Sequence, residues 1–224
     1  MRNYYLFFTL LLFTHLLLSA RLEAQLPVSR ELHHKVVLEN QYLRLLEGRV
    51  PMNDTTPAHI HAANSVVIFL SHSTFGIQVV GDKPVITTVN PGDLKYVAYG
   101  DKPVNHLVWN ETPTLFHFFV VELAQHSPKY PPKTPPTADS CPTLAQPGIT
   151  LQWRQPAVNA YSVDITDTRP LNLAPAPCAR LLVAITGTVS AGGAPLSPNQ
   201  YRFFPPKTPV NLKGAARCIL LEIH

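Results

Sequence analysis

Residues 57–71 read PAHIHAANSVVIFLS and place two histidines, one residue apart, at the mouth of an apolar strand. Side chains two apart on a strand share a face. His59 and His61 therefore point the same way, and Val66, Val67, Ile68, Phe69 and Leu70 carry the chain on into a buried sheet. A metal suits such a face, because neutral imidazole is a good ligand for zinc, copper, nickel and iron. The competing reading is two polar residues that end a strand and meet solvent, since a short histidine pair carries little specificity alone.

Working outward, 224 residues suffice for one large domain or two of about 100 residues each. With 46% hydrophobic and only 14% charged residues the chain is of the folded, well-buried kind. Twenty-three prolines and 10 glycines suit many short strands joined by turns. The formal charge of +4 comes from scattered Lys and Arg with no run long enough to track phosphates, which argues against nucleic acid as a partner.

At the N-terminus Arg2 precedes an apolar run over residues 4–18, short for a membrane span of about 20 residues and of the right form for an export leader. Cleavage after Ala24 or Ala20 is expected, although Leu22 and Leu18 stand where a small residue is preferred; an uncleaved anchor is the alternative. The expected location is thus secreted or periplasmic, with no stable membrane insertion once the leader is gone. Cys141, Cys178 and Cys218 then meet an oxidising compartment, where one pair bridges and one thiol is left over, and any of three pairings is open.

In chain order, residues 34–50 read as one or two strands turned at Glu39 and Asn40. Strands follow at 75–80, 85–89, 94–99, 104–109 and 115–123, separated by turns such as Asn90-Pro91-Gly92-Asp93. Residues 126–147 hold seven prolines among Ser, Thr and Lys and read as a linker. Beyond it the first half repeats. Asn40-Gln41-Tyr42 returns as Asn159-Ala160-Tyr161, Ser65 aligns with Arg180, Pro103-Val104-Asn105 with Pro209-Val210-Asn211, and VVEL (120–123) with LLEI (220–223). The chemistry is not repeated: Leu212 stands for His106, and the shortened second-half loop LAPAPCA (173–179) has no histidine. The low charge further predicts that the halves cover each other's exposed sheet faces, with a homodimer as an additional option.

These residues resemble the cupin superfamily, small double-sheet jelly-roll barrels. His59-Ile60-His61 matches the core of the first family motif, with Asn53 at its first glycine, Ser65 (or Val66) at its glutamate and His72 at its last glycine. Gly92, Gly100, His106 and Asn110 match the second motif in kind, with Ala98 at its proline and three extra residues before the histidine. The resemblance implies an all-β fold of two tandem cupin-type jelly-roll β-barrels: leader 1–24, N-terminal barrel 25–125, linker 126–147 and degenerate C-terminal barrel 148–224. It also implies His59, His61 and His106 as ligands of a divalent transition metal (Fe, Zn, Mn, Ni or Cu), without the usual carboxylate. Three-histidine cupins include thiol dioxygenases and some carbon–carbon cleaving dioxygenases, so a small-molecule ligand and dioxygenase-like chemistry are the expectation. A non-catalytic module that binds a small ligand without metal is the alternative.

Other residues are weighed against blander roles. His72 is expected in solvent, His33 and His34 exposed, and His117 facing either lumen or exterior. Glu47 and Arg49 are read as a lumen pair or an outer salt bridge.

Overall fold

In a computed structural model the structure describes residues 26–123 and 141–224; the leader and most of the proline-rich linker lie outside the described residues. The first half contributes β1 (Leu26–Pro27), a single 3₁₀ turn (Val28–Arg30), β2 (His34–Glu39), β3 (Leu43–Val50), β4 (His59–His61) and β5 (Asn64–Phe69). It continues with β6 (Ser73–Val79), β7 (Val85–Val89), β8 (Leu94–Ala98), β9 (Val104–Asn110) and β10 (Phe116–Leu123). The second half contributes β11 (Ile149–Gln155), β12 (Val158–Ile165), β13 (Leu171–Leu173), β14 (Ala179–Ala191), β15 (Ala194–Leu196), β16 (Tyr201–Phe204) and β17 (Val210–Ile223). Among the described residues no helix is long and apolar enough to cross a membrane.

Two five-stranded sheets face each other in the first half, in the orders β1-β4-β9-β6-β7 and β2-β3-β10-β5-β8. Strand alternation sorts their side chains. On β10, Phe116, Phe118 and Val120 point into the sandwich with Leu46, Val50, Phe69 and Phe75. Phe119, Val121 and Leu123 point out, with Leu43, Leu45, Val66 and Ile68. The run after the histidines is thus two strands and not one: β4 lies in one sheet and β5 in the other. The chain turns the corner between them at Ala62–Ala63, where Ser65 Oγ donates to Ala63 O at 2.9 Å.

These outward apolar side chains do not meet water. They form a continuous apolar layer with Val158, Ala160, Leu181, Val183, Ile219 and Leu221 of the second half, as the low charge predicts. Tyr201 Oη donates across this layer to Val37 O at 2.7 Å. In the second half the sheet folds over its own core of Tyr161, Val163, Leu182, Leu212 and Leu220. Long β14 and β17 run through both layers, bending where Gly187 (φ 71°) and Gly214 (φ 124°) take the left-handed region open to glycine.

Register confirms that the strand order repeats and corrects part of the alignment. Glu122 faces Ser65 and Arg44 across β10, and Glu222 faces Arg180 and Asn159 across β17. Ser65 therefore matches Arg180 as expected, but Arg44 matches Asn159, so the Asn-x-Tyr pairing is four residues out of register. Cys141 bridges Cys178, leaving Cys218 free and buried. That bond and the partly buried Leu144 tie the end of the proline-rich segment to the second half.

Candidate metal centre

His59 and His61 lie on β4 and His106 on β9, with His59 directly opposite His106 in the ladder. Their rings converge: centroids are 4.8 Å apart for His59 and His106, 4.9 Å for His61 and His106, and 5.1 Å for His59 and His61. All three are buried, at 0%, 4% and 6% exposure. A fourth imidazole joins them. His34, expected in solvent, is 5% exposed, with its ring 4.8 Å from His59 and 5.9 Å from His61. Ligand nitrogens of His34, His59 and His61 lie within 4.8 Å of one another. The sequence shows only a histidine pair after the leader; what buries the second of them is that β2 forms the wall opposite β4.

Hydrogen bonds set which nitrogen is free. His59 Nδ1 donates to Pro57 O at 2.9 Å, so the lone pair of the neutral ring is on Nε2. His34 Nδ1 donates to Glu31 Oε2 at 2.5 Å, which frees its Nε2 in the same way. Glu31, 2% exposed, also receives His33 N and His33 Nδ1. Burial works against this carboxylate, but the hydrogen bonds from His34 and His33 outweigh it and hold its pKa at about 2. His59 Nε2, His61 Nδ1 and His106 Nδ1 are buried with no hydrogen-bond partner. Buried polar atoms without partners are costly and uncommon. Three of them in one cluster fit a group that accepts imidazole lone pairs. Burial, and secondarily the neighbouring imidazoles, push His59 down to about 4, His106 to about 3 and His61 well below its ordinary value. At neutral pH these rings are uncharged, the state a metal ligand requires.

The cluster opens onto a cavity of ≈ 640 Å³ lined mostly by the first half. His34, His61, His106 and Tyr99 line one end, with Tyr99 5.9 Å from the His61 ring. Burial pushes the Tyr99 phenol up, so it stays protonated. Elsewhere in the lining Phe75 stacks on Phe116 at 4.4 Å, and Phe116 meets Phe118 at 4.6 Å.

The other weighed residues fall elsewhere. Ser65 faces inward but spends its hydroxyl on Ala63 O, and no carboxylate stands at its position. Its cross-strand neighbour Glu122 is ion-paired with Arg44. Glu47 and Arg49 form an outer-face pair at 3.0 Å, and His117 Nε2 joins Glu47 at 2.9 Å on that side. His72 is exposed against Asn90. Asn53, at a motif glycine, takes φ 60°, a conformation asparagine tolerates. In the second half register puts Leu171 opposite Leu212 and Leu173 opposite Val210, where the first half has His59 opposite His106 and His61 opposite Val104. Ile149 likewise occupies the place of His34. A second group of candidate ligands, Cys141, Cys178 and Glu222, is spent on the disulfide and on Arg180.

No family model and no curated protein sequence matches the chain. Solved structures do. YhhW from Escherichia coli superposes with a TM-score of 0.59 at 11% identity, covering 87% of this chain and 89% of that one. A cupin 2 conserved barrel domain protein from Leptotrichia buccalis gives 0.53 at 11%, covering 85% and 88%. Salicylate 1,2-dioxygenase from Pseudoaminobacter salicylatoxidans gives 0.56 at 12%, covering 84% and 70%. The fold is that of the cupin superfamily. YhhW, a bacterial pirin, has been solved with nickel(II), and the dioxygenase with gentisate.

Proposed function

We propose that the chain is an exported two-barrel cupin whose first half holds a divalent transition metal on His59, His61 and His106, with His34 as a fourth imidazole, and acts on a small molecule in dioxygenase-like chemistry. The observation that carries this reading is the cluster of three buried imidazole rings, each with a nitrogen that has no hydrogen-bond partner, joined by His34, whose ligand nitrogen lies within 4.8 Å of those of His59 and His61. A divalent ion on such a set supplies Lewis acidity and, where redox-active, a place for dioxygen chemistry. Glu31 orients His34 and adds a nearby negative charge, the arrangement that raises a ligand's basicity. Phe75, Phe116 and Phe118 keep water from the cavity floor, and the Tyr99 hydroxyl can donate to a bound ligand. Export is supported by the leader-like N-terminus and by the Cys141–Cys178 bond, since disulfides persist in oxidising compartments.

The test is metal analysis of protein purified without chelator: about one equivalent in the wild type and loss in His61→Ala. Stoichiometric metal retained by that variant would overturn the site. Ser65 favours a second reading, a binding module without turnover, because a neutral hydroxyl replaces the usual carboxylate. Oxygen uptake by the iron-loaded protein with gentisate supports catalysis. Uptake no faster than in the His61→Ala control favours the binding module.

A further inference from the structure

The second half has no histidine cluster, yet it reaches the first half's cavity. The first sandwich is open between its edge strands β7 and β8, and Gln152, Trp153, Ser162 and Arg217 of the second half line the cavity together with the turn before β8. This follows from the packing of the halves. Ser162 and Arg217 lie on the faces of β12 and β17 that look toward the first half, because Tyr161, Val163, Ala216 and Cys218 look into the second core. Gly92 of the turn sits 3.6 Å, measured from an ideal Cβ, from Ile185 of the second half.

Two cations stand at this mouth. Lys95 lies opposite Val67, a lumen residue, and so faces inward along the edge of β8. Arg217 lines the same cavity from the second half, and its cross-strand neighbour Asp164 forms no ion pair with it. Neither cation has an ion-pair partner among the described residues. The carboxylate beside them, Asp93, accepts the Asn90 N–H at 2.7 Å. Gln152 Nε2 donates to Ser162 Oγ at 3.0 Å, leaving the amide oxygen and the serine proton at the opening.

We propose that the second half completes the cavity mouth and makes it select a ligand with an apolar body and a carboxylate end, held by Arg217 and Lys95. This rests on the cavity being the ligand site of the proposed function. A guanidinium fork and an ammonium suit a carboxylate, and the phenylalanine wall suits an aromatic or aliphatic body.

The test uses calorimetric titration of the full chain with 2-naphthoate and with its neutral analogue 2-naphthamide, on chelator-stripped and on zinc-loaded protein, with metal content measured in parallel. The wild type is expected to prefer the carboxylate by about tenfold or more in both states. Arg217→Gln and Lys95→Met should each cut that preference severalfold while leaving 2-naphthamide affinity and metal content unchanged. A preference that survives both substitutions overturns the proposal, as does equal binding of the two probes or no binding of either at about 1 mM. A preference seen only with zinc present and untouched by Arg217→Gln places the carboxylate on the ion, overturning this inference while leaving the metal centre standing. A preference that follows Arg217 in protein that takes up no metal does the reverse.

Discussion

At the scale of single residues the site depends on where each imidazole keeps its proton. Glu31 holds that of His34, so Glu31→Gln should leave the fold in place while weakening metal affinity by roughly 10–100-fold, read by competition with a chromogenic chelator. Unchanged affinity would remove His34 and Glu31 from the centre. Acid should act on the metal-free protein through the same cluster. Unfolded imidazoles titrate near 6.5, whereas burial holds His59 at about 4 and His106 at about 3. Below 6.5 the unfolded chain therefore binds more protons than the folded one, and stability present above that pH is lost progressively toward 4. Urea melts at a series of pH values should show this slope. They should show it flattened when His59, His61 and His106 all become Leu, the residue the second half carries in each matching place. An unchanged slope would mean that other groups govern the acid response.

At the scale of elements β10 lays one of the cavity's aromatic rings across its neighbour β3. Gly48 on β3 lies beneath Phe118, and a Cβ there would stand 2.2 Å from the ring. Gly48→Ala should push Phe118 toward His34, 5.5 Å away, and destabilise the protein by about 1–3 kcal/mol in chemical denaturation. No loss would mean that β3 and β10 can spread without cost. Glu122 and Glu222 recur at matching places on β10 and β17, each paired with an arginine, but from different strands: Arg44 of β3 and Arg180 of β14. One buried carboxylate with its cation is thus retained in both halves, a structural use that separates Glu122 from the metal ligands.

At the scale of the whole molecule the largest apolar layer lies between the halves, so neither half is expected to unfold alone. Leu221→Ala, fully buried in that layer, should cost about 2–5 kcal/mol and shift a single calorimetric transition. Two separate transitions would show independent halves. The Cys141–Cys178 bond closes a loop with a sequence separation of 37, and Cys178→Ser should lower stability by about 2–4 kcal/mol.

From sequence alone, alternation of apolar and polar residues with turn residues between them was enough to place most strands, and the repeat was enough to pair the halves. The H-x-H spacing put His59 and His61 on one face, because a strand's two-residue period is a local property. His34, Glu31, Tyr99 and Arg217 carried no such signal. His34, Tyr99 and Arg217 reach the cavity, and Glu31 reaches the His34 ring behind it, through the closing of β2 over β4, the corner at Ala62–Ala63, and the docking of one half on the other. The choice of Cys141 and Cys178, and the four-residue correction to the repeat, were likewise decided by register across strands distant in the chain. Local period determines which face a side chain takes, but which faces meet is set by long-range packing, and only the tertiary structure contains it.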